Sequence, residues 1–282
     1  MKETSKTMQK ELIAEIERFV RQSPANLQED GVTAYFDKPL VGFASAVDPL
    51  FDLYKEIIGD FHLAPGELLP TAASVVCWVL PVSESARASN RSQKQFPSRA
   101  WARTRDRGEA FNVRLRQHLV AWLLERGFLA LAPQLSERWQ GVEVPGTGPA
   151  SNWSERHAAY VAGLGTFSLN DALITSKGMA HRLGSLMTDA DFPPTLRAYS
   201  SYRSHCLRFR TGGCGACIAR CPVGALSDQG HDKNKCRAYV YGTVPEAVGI
   251  EYQVKAAGCG LCQTGVPCEH RIPAGCEETS GV

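Results

Sequence analysis

Cys214-Gly215-Ala216-Cys217-Ile218-Ala219-Arg220-Cys221-Pro222 decides how this chain is read. Thiolates separated by two and then three residues can face one point in space. The proline after the third turns the chain away, so that backbone N–H groups can point at sulfur. Working outward, Cys206 lies before this run, and Cys236, Cys259-x2-Cys262 and Cys268 lie after it. Eight of the ten cysteines thus fall between Cys206 and Cys268. They form two sets of four, enough to ligate two [4Fe–4S] clusters.

Composition does not contradict this. The chain has 282 residues, 44% hydrophobic and 21% charged, with a net charge of +2 that implies no partner by itself. No stretch approaches the apolar length of a membrane span. The N-terminus, Met1 to Gln22, carries charge throughout and lacks a secretory signal or a twin-arginine motif. The cytoplasm is the expected compartment, with no membrane partner. There thiols stay reduced, and clustered cysteines read as metal ligands rather than disulfides.

The run matches the end of the bacterial two-cluster ferredoxin pattern C-x2-C-x2-C-x3-C-P, in which the last cysteine serves the other cluster. On that logic Cys206, Cys214, Cys217 and Cys268 hold one cluster, and Cys221, Cys236, Cys259 and Cys262 hold the other. Cys276 could replace Cys268. Structural zinc also uses Cys-x2-Cys pairs, but the Cys-x3-Cys-Pro run favours iron–sulfur. Cys77, inside the apolar run 75–80, reads as a core thiol.

Upstream, Leu12, Ile13, Ile16, Phe19 and Val20 recur at helical spacing and predict an amphipathic helix ending near Pro24. β-rich runs follow at 41–47, 75–82 and 128–132. A helix is expected over 113–126, with Gly127 as its C-cap. Another is expected over 154–162, then strands at 172–175 and around 183–187. This alternation predicts an α/β core. The reading is an α/β (α+β) domain over residues 1–197 and a two-cluster iron–sulfur domain over 198–282.

The segment 162–175, AGLGTFSLNDALIT, resembles the epoxyqueuosine reductase family, which reads A-G-L-G-x-x-G-x-N-x-L-L-I there. Glu155-Arg156 precedes it at the family's distance. The stretch 182–189, RLGSLMTD, resembles the family's next element, and the two cysteine sets follow in the family's order. Reductive dehalogenases are relatives of this group. The resemblance implies a nitroreductase-like α/β core, a ferredoxin-like cluster domain, and cobalamin fed by two [4Fe–4S] clusters. It implies cofactor contacts at Gly163, Leu164, Gly165, Asn170 and Thr175.

Several positions depart from the family. Its G-R-D-Y-H segment, whose aspartate is thought to donate a proton, corresponds to Gly108-Glu109-Ala110-Phe111-Asn112, with Ala110 at the aspartate. A second family aspartate, in D-x-x-P-x-x-E-R, falls on Pro149. The chain ends shortly after its last cysteine, where the family often carries a helical-repeat extension. These differences point to a relative with another, small-molecule substrate. Glu109, Asp106 and Tyr160 are the candidate proton donors.

The stretch 87–116 carries nine basic residues against Asp106 and Glu109. It reads either as a cationic surface or as a solvated loop and helix face. Its aromatic interleaving is too thin to support nucleic-acid binding. His157, His181 and His205 read as surface or core residues. Two functions remain. One is a cobalamin-dependent iron–sulfur reductase served by an external low-potential donor such as ferredoxin or flavodoxin. The other is an electron carrier, or an activator of another protein's corrinoid.

Overall fold

The computed structural model describes residues 2–276, with side chains from Ser5 onward. Its centre is a four-stranded sheet in the order β1-β2-β8-β3, antiparallel throughout. Its strands are β1 (Leu40–Ser45), β2 (Ser74–Pro81), β3 (Ala130–Leu131) and β8 (His181–Thr188). Three two-stranded ribbons complete the set: β4 (Gly141–Val144) with β5 (Gly148–Ser151), β6 (Gly165–Phe167) with β7 (Leu173–Thr175), and β9 (Leu226–Ser227) with β10 (Gly230–His231). The fold is mixed α/β, as expected. Alternating elements suggest parallel strands; here helices cover both faces of an antiparallel sheet instead.

β2 shows why. All eight of its residues are buried, and successive side chains point to opposite faces. Val76, Trp78 and Leu80 pack into a core with Leu12, Ile16 and Val20 of the helix Lys2–Gln22 and with Phe111, Leu115 and Leu119 of the long helix Arg99–Leu124. Val75 and Cys77 face the other core, with Phe51 and Tyr54 of the helix Pro49–Ile57 and Ala158 and Val161 of the helix Glu155–Val161. A strand covered on both sides reads as an unbroken apolar run, which is the pattern of SVVCWVLP. Opposite Trp78 on β8 stands Gly184, where a Cβ would fall 2.4 Å from the indole ring. The indole Nε1–H donates to Asn112 at 2.9 Å, tying sheet to long helix.

The basic stretch, read as a cationic surface or a solvated loop and helix face, is mostly helix. Residues 84–91 and 99–124 are helical, the second helix capped by Ser98, which accepts from the Trp101 N–H at 3.2 Å. Its arginines are largely paired: Arg103 and Arg107 with Glu29, Arg99 with Glu251, Arg87 and Arg91 with Glu84 and Glu269. The ribbon β4–β5 gave no sequence signal, because its four-residue strands contain Gly and Pro.

The cysteine-rich part is stitched to the sheet domain by main chain. The Met179 and Ala180 N–H groups donate to the Cys268 and Glu269 carbonyls at 2.9 and 3.0 Å. Gly178, at φ +76°, lets the backbones meet: a Cβ there would lie 2.3 Å from the Glu269 carbonyl oxygen. The Glu269 carboxylate receives Arg91 at 2.6 Å and the Gly265 N–H at 2.8 Å. Arg220, between two of the cysteines, donates to the carbonyls of Leu261, Arg91, Gln93 and Asn90 at 3.0–3.2 Å. Among the described residues no helix is long and apolar enough to cross a membrane.

His62 is 1% exposed and neither ring nitrogen has a partner. It lies between the rings of Tyr54 and Trp153, and burial holds its pKa down to about 4. A histidine depressed in the folded state contributes stability above its unfolded pKa and loses it as pH falls from about 6.5 toward 4. His62→Phe should therefore gain roughly 2 kcal/mol more at pH 5 than at pH 7.5, read from urea midpoints at the two pH values. Gly184→Ala should cost about 1–3 kcal/mol by displacing Trp78. Gly66→Ala, whose Cβ meets nothing within 4 Å, should stay within about 0.5 kcal/mol of the parent.

Candidate functional site

The eight clustered thiols sort into two places. Cys221, Cys236, Cys259 and Cys262 line a cavity of about 380 Å³, whose facing wall carries Trp101, Arg105, Arg156, Asn170, His181 and Arg182. Cys206, Cys214, Cys217 and Cys268 line a separate, smaller cleft. Local structure explains the split. Gly212, in the left-handed region at φ +72°, ends the helix that Cys206 caps, and Ala216–Ala219 carries Cys217 on a short helix. Cys221 then leaves that helix toward the other cavity.

Burial pushes the Cys217 and Cys259 thiols up to about 11 and Cys268 to about 12, with neighbouring sulfurs adding to the effect. Cys262 is driven higher still, again by burial first. The sulfurs that act on Cys268 are Cys206, Cys217 and Cys214; those that act on Cys259 are Cys236 and Cys221. Protons would leave such thiols when a cationic metal centre takes their place. All ten cysteines are free. Cys276 is buried near Cys206 and Cys214 but does not line their cleft. Cys77 lies in the second core, its thiol pushed well up by burial. Among the described residues no group of three or more His, Cys, Asp or Glu is gathered tightly enough for a single metal ion.

Positive charge dominates the facing wall. The pKa of Arg105 is lowered, first by the charge of Arg182 and then by burial. Arg156 donates to the Asp171 carbonyl at 2.6 Å, and burial lowers its pKa. His231 meets the Asp171 carboxylate at 2.9 Å; that hydrogen bond, and one to Cys236, raises it to about 9. The helix Lys233–Ala238 passes through a π turn, Tyr239–Thr243, whose Tyr239, Val240 and Tyr241 line the cavity. Irregular turns of this kind recur at functional sites.

The residues singled out from sequence fall in different surroundings. Asn170 lines the cavity and donates to the Cys262 carbonyl at 3.1 Å. Gly163 ends the helix Glu155–Val161, Leu164 packs against Gly42, and Gly165 opens β6, where a Cβ would meet the Ile174 carbonyl of β7 at 2.2 Å. The Thr175 hydroxyl donates to the Gly178 carbonyl at 2.9 Å. Asp106 accepts from the N–H groups of Lys255 and Ala256 at 3.2 and 2.9 Å, anchoring the cysteine-rich part. Tyr160 packs between Phe167 and Tyr199 with its ring tilted to both. Glu109 pairs with Arg182 and with Arg116 at 3.0 Å. Burial would raise its carboxyl, but the two guanidiniums outweigh this and hold it below the usual range. Arg105, Arg182 and His231 were not singled out as site residues by sequence reasoning: Arg105 was one of nine basic residues in 87–116, Arg182 only opened the stretch RLGSLMTD, and His231 belonged to no motif.

No model of a known protein family matches the chain. A curated relative, epoxyqueuosine reductase from Bacillus cereus, is 28% identical over 252 residues, covering 80% of this chain and 60% of the relative. The chain thus spans about 60% of that protein's length. The solved structure of epoxyqueuosine reductase from Bacillus subtilis matches 96% of this chain and 68% of that one, at 21% identity and a TM-score of 0.53. A catabolic reductive dehalogenase matches 84% of this chain and 30% of its own, at 17% identity and a TM-score of 0.53. The chain shares one fold with these two solved proteins. The resemblance drawn from the motifs is borne out: the chain is epoxyqueuosine reductase-like in sequence and in fold.

If the smaller cleft holds a cluster, Cys217→Ser should lower iron from about eight to about four per chain, whereas Cys77→Ser should leave it unchanged. Colorimetric iron analysis of protein reconstituted under argon checks both.

Proposed function

We propose that the chain is an iron–sulfur reductase in which two [4Fe–4S] clusters carry electrons to a corrinoid and then to a small-molecule substrate. Cys206, Cys214, Cys217 and Cys268 hold the first cluster; Cys221, Cys236, Cys259 and Cys262 hold the second. The reading rests on one observation above all: the second set of thiols and a cationic wall line the same cavity. The donor chemistry, four thiols to each recess, suits a cubane cluster. A solved reductive dehalogenase of the same fold (TM-score 0.50, 16% identity) is described with a mechanism for B12-dependent dehalogenation. When bound, a corrinoid supplies a low-valent cobalt nucleophile.

The chain's own tasks follow from its charges. Arg105, Arg156 and Arg182 would hold anionic groups, with Asn170 as a neutral donor beside them. Trp101 and Val82 would exclude water from the cavity. On this reading residues 1–197 form a nitroreductase-like core and residues 198–282 a ferredoxin-like domain, served by an external ferredoxin or flavodoxin. One solved relative is described with an epoxyqueuosine-modified tRNA stem loop. We do not extend that substrate to this chain, because Ala110 and Pro149 replace the family's two aspartates.

That same replacement favours a second reading, an electron carrier or an activator of another protein's corrinoid. Spectra of protein purified under argon separate the two. The reductase reading predicts a corrinoid absorption, or cobalamin uptake at one per chain, on top of the broad iron–sulfur band. Iron–sulfur absorption with no uptake would overturn it in favour of the carrier.

A further inference from the structure

A second cavity, of about 270 Å³, adjoins the first and shares Arg156, Asn170, His181, Arg182 and Gln263 with it. Seven buried side-chain nitrogen or oxygen atoms among the described residues lack a hydrogen-bond partner, and three of them belong to residues lining this one cavity: Gln134 Oε1, Glu155 Oε2 and His181 Nδ1. Unpaired polar atoms are costly to bury, so their convergence marks a place built to be filled. The His181 Nε2–H donates to the Leu173 carbonyl at 2.8 Å, and burial lowers its pKa to about 4. The ring is therefore neutral, and Nδ1 offers a lone pair. Gln134 Oε1 offers another. Such a recess accepts hydrogen bonds and needs a donor.

Glu155 brings a carboxyl to the same recess. Every charged or titratable neighbour bears on its protonation. From the long helix, Arg116 reaches Glu155 Oε1 at 3.3 Å and Glu109 Oε1 at 3.0 Å. From β8 come Arg182, committed to Glu109, neutral His181 and the Ser185 hydroxyl. Cys77 faces it from β2, and Arg156 follows it in sequence. Two guanidiniums thus settle on Glu109. Glu155 keeps one long contact to Arg116, a hydrogen bond with the Ser185 hydroxyl and the repulsion of the Glu109 charge. Burial raises the Glu155 carboxyl, while Glu109 is held low. Two carboxyls pushed apart in this way divide into an acid and an anion.

We propose that Glu155 is the carboxylic acid that faces the substrate from this cavity and supplies its proton, the role left open by Ala110 and Pro149. The inference rests on the reductase reading for its chemistry. The balanced step is R–X + 2 e⁻ + H⁺ → R–H + X⁻. The carbon–X bond breaks and X⁻ leaves with its electron pair. Two electrons come singly from the low-potential carrier protein, and the proton comes from Glu155 Oε2. The resulting carboxylate is offset by Arg116 and takes a proton back from solvent.

The test has two arms. Diisopropylcarbodiimide modifies protonated carboxyls, so wild-type protein treated at pH 7.5 should carry the adduct on Glu155 and not on Glu109, read by peptide mass spectrometry. An unmodified Glu155 would overturn the proposal, with no variant or substrate needed. In the second arm, reconstituted holoprotein with reduced methyl viologen is offered halogenated phenols and epoxides. Glu155→Gln should lower kcat by about 10²-fold or more while iron content and cluster reduction stay unchanged; an unaltered kcat would overturn the proposal. Should wild type turn over no member of the panel, the substrate reading fails separately, and the labelling result alone decides whether the acid is present.

Discussion

The closure of residues 178–180 onto residues 268–269 is the contact on which the rest of the site depends. Two main-chain hydrogen bonds and a glycine without room for a Cβ leave no tolerance for sliding. The Glu269 carboxylate and the Arg220 guanidinium fasten the same joint from two sides. Arg220 satisfies carbonyls at the end of the helix Glu84–Arg91, groups that a helix terminus leaves without partners. Because these contacts fix the cysteine-rich part, four thiols face Arg105, Arg156 and Asn170 across one cavity.

Charge is distributed with the same economy. Most arginines of the stretch 87–116 are paired with carboxylates on other elements, and so hold helices together rather than form an open basic face. Arg105 of that stretch, with Arg156 and Arg182 from later elements, lies around the cavity instead. There they oppose the negative charge that thiolate-bound iron would bring, since four thiolates exceed the charge of a cubane core. Hydrogen bonds and local charge set the potential of such centres, so the wall would govern electron flow as well as binding.

Much of this was legible in the sequence. SVVCWVLP reads as a doubly covered strand because burial on both faces removes polar alternation. The cysteine spacing suggested two sets of four, and the thiols of each set line one recess. The antiparallel sheet was not legible: strand direction depends on how connections cross, which residue pattern alone does not encode. The helix over 99–112 was missed because its arginines suggested solvent, whereas their partners, such as Glu29 and Glu251, are distant in sequence. Glu109 stood out by its place in a motif, yet its neighbours in space hold it ionised. Glu155 stood out only as half of Glu155-Arg156, and its unpaired oxygen is visible only once β8 and the long helix surround it.

Crystals grown under argon and measured on both sides of the iron absorption edge test the central claim most directly. The account predicts two compact anomalous peaks, one bounded by Cys206, Cys214, Cys217 and Cys268, the other by Cys221, Cys236, Cys259 and Cys262 at the floor of the larger cavity. A single ion between two cysteine pairs, or sulfurs with no iron among them, would contradict it.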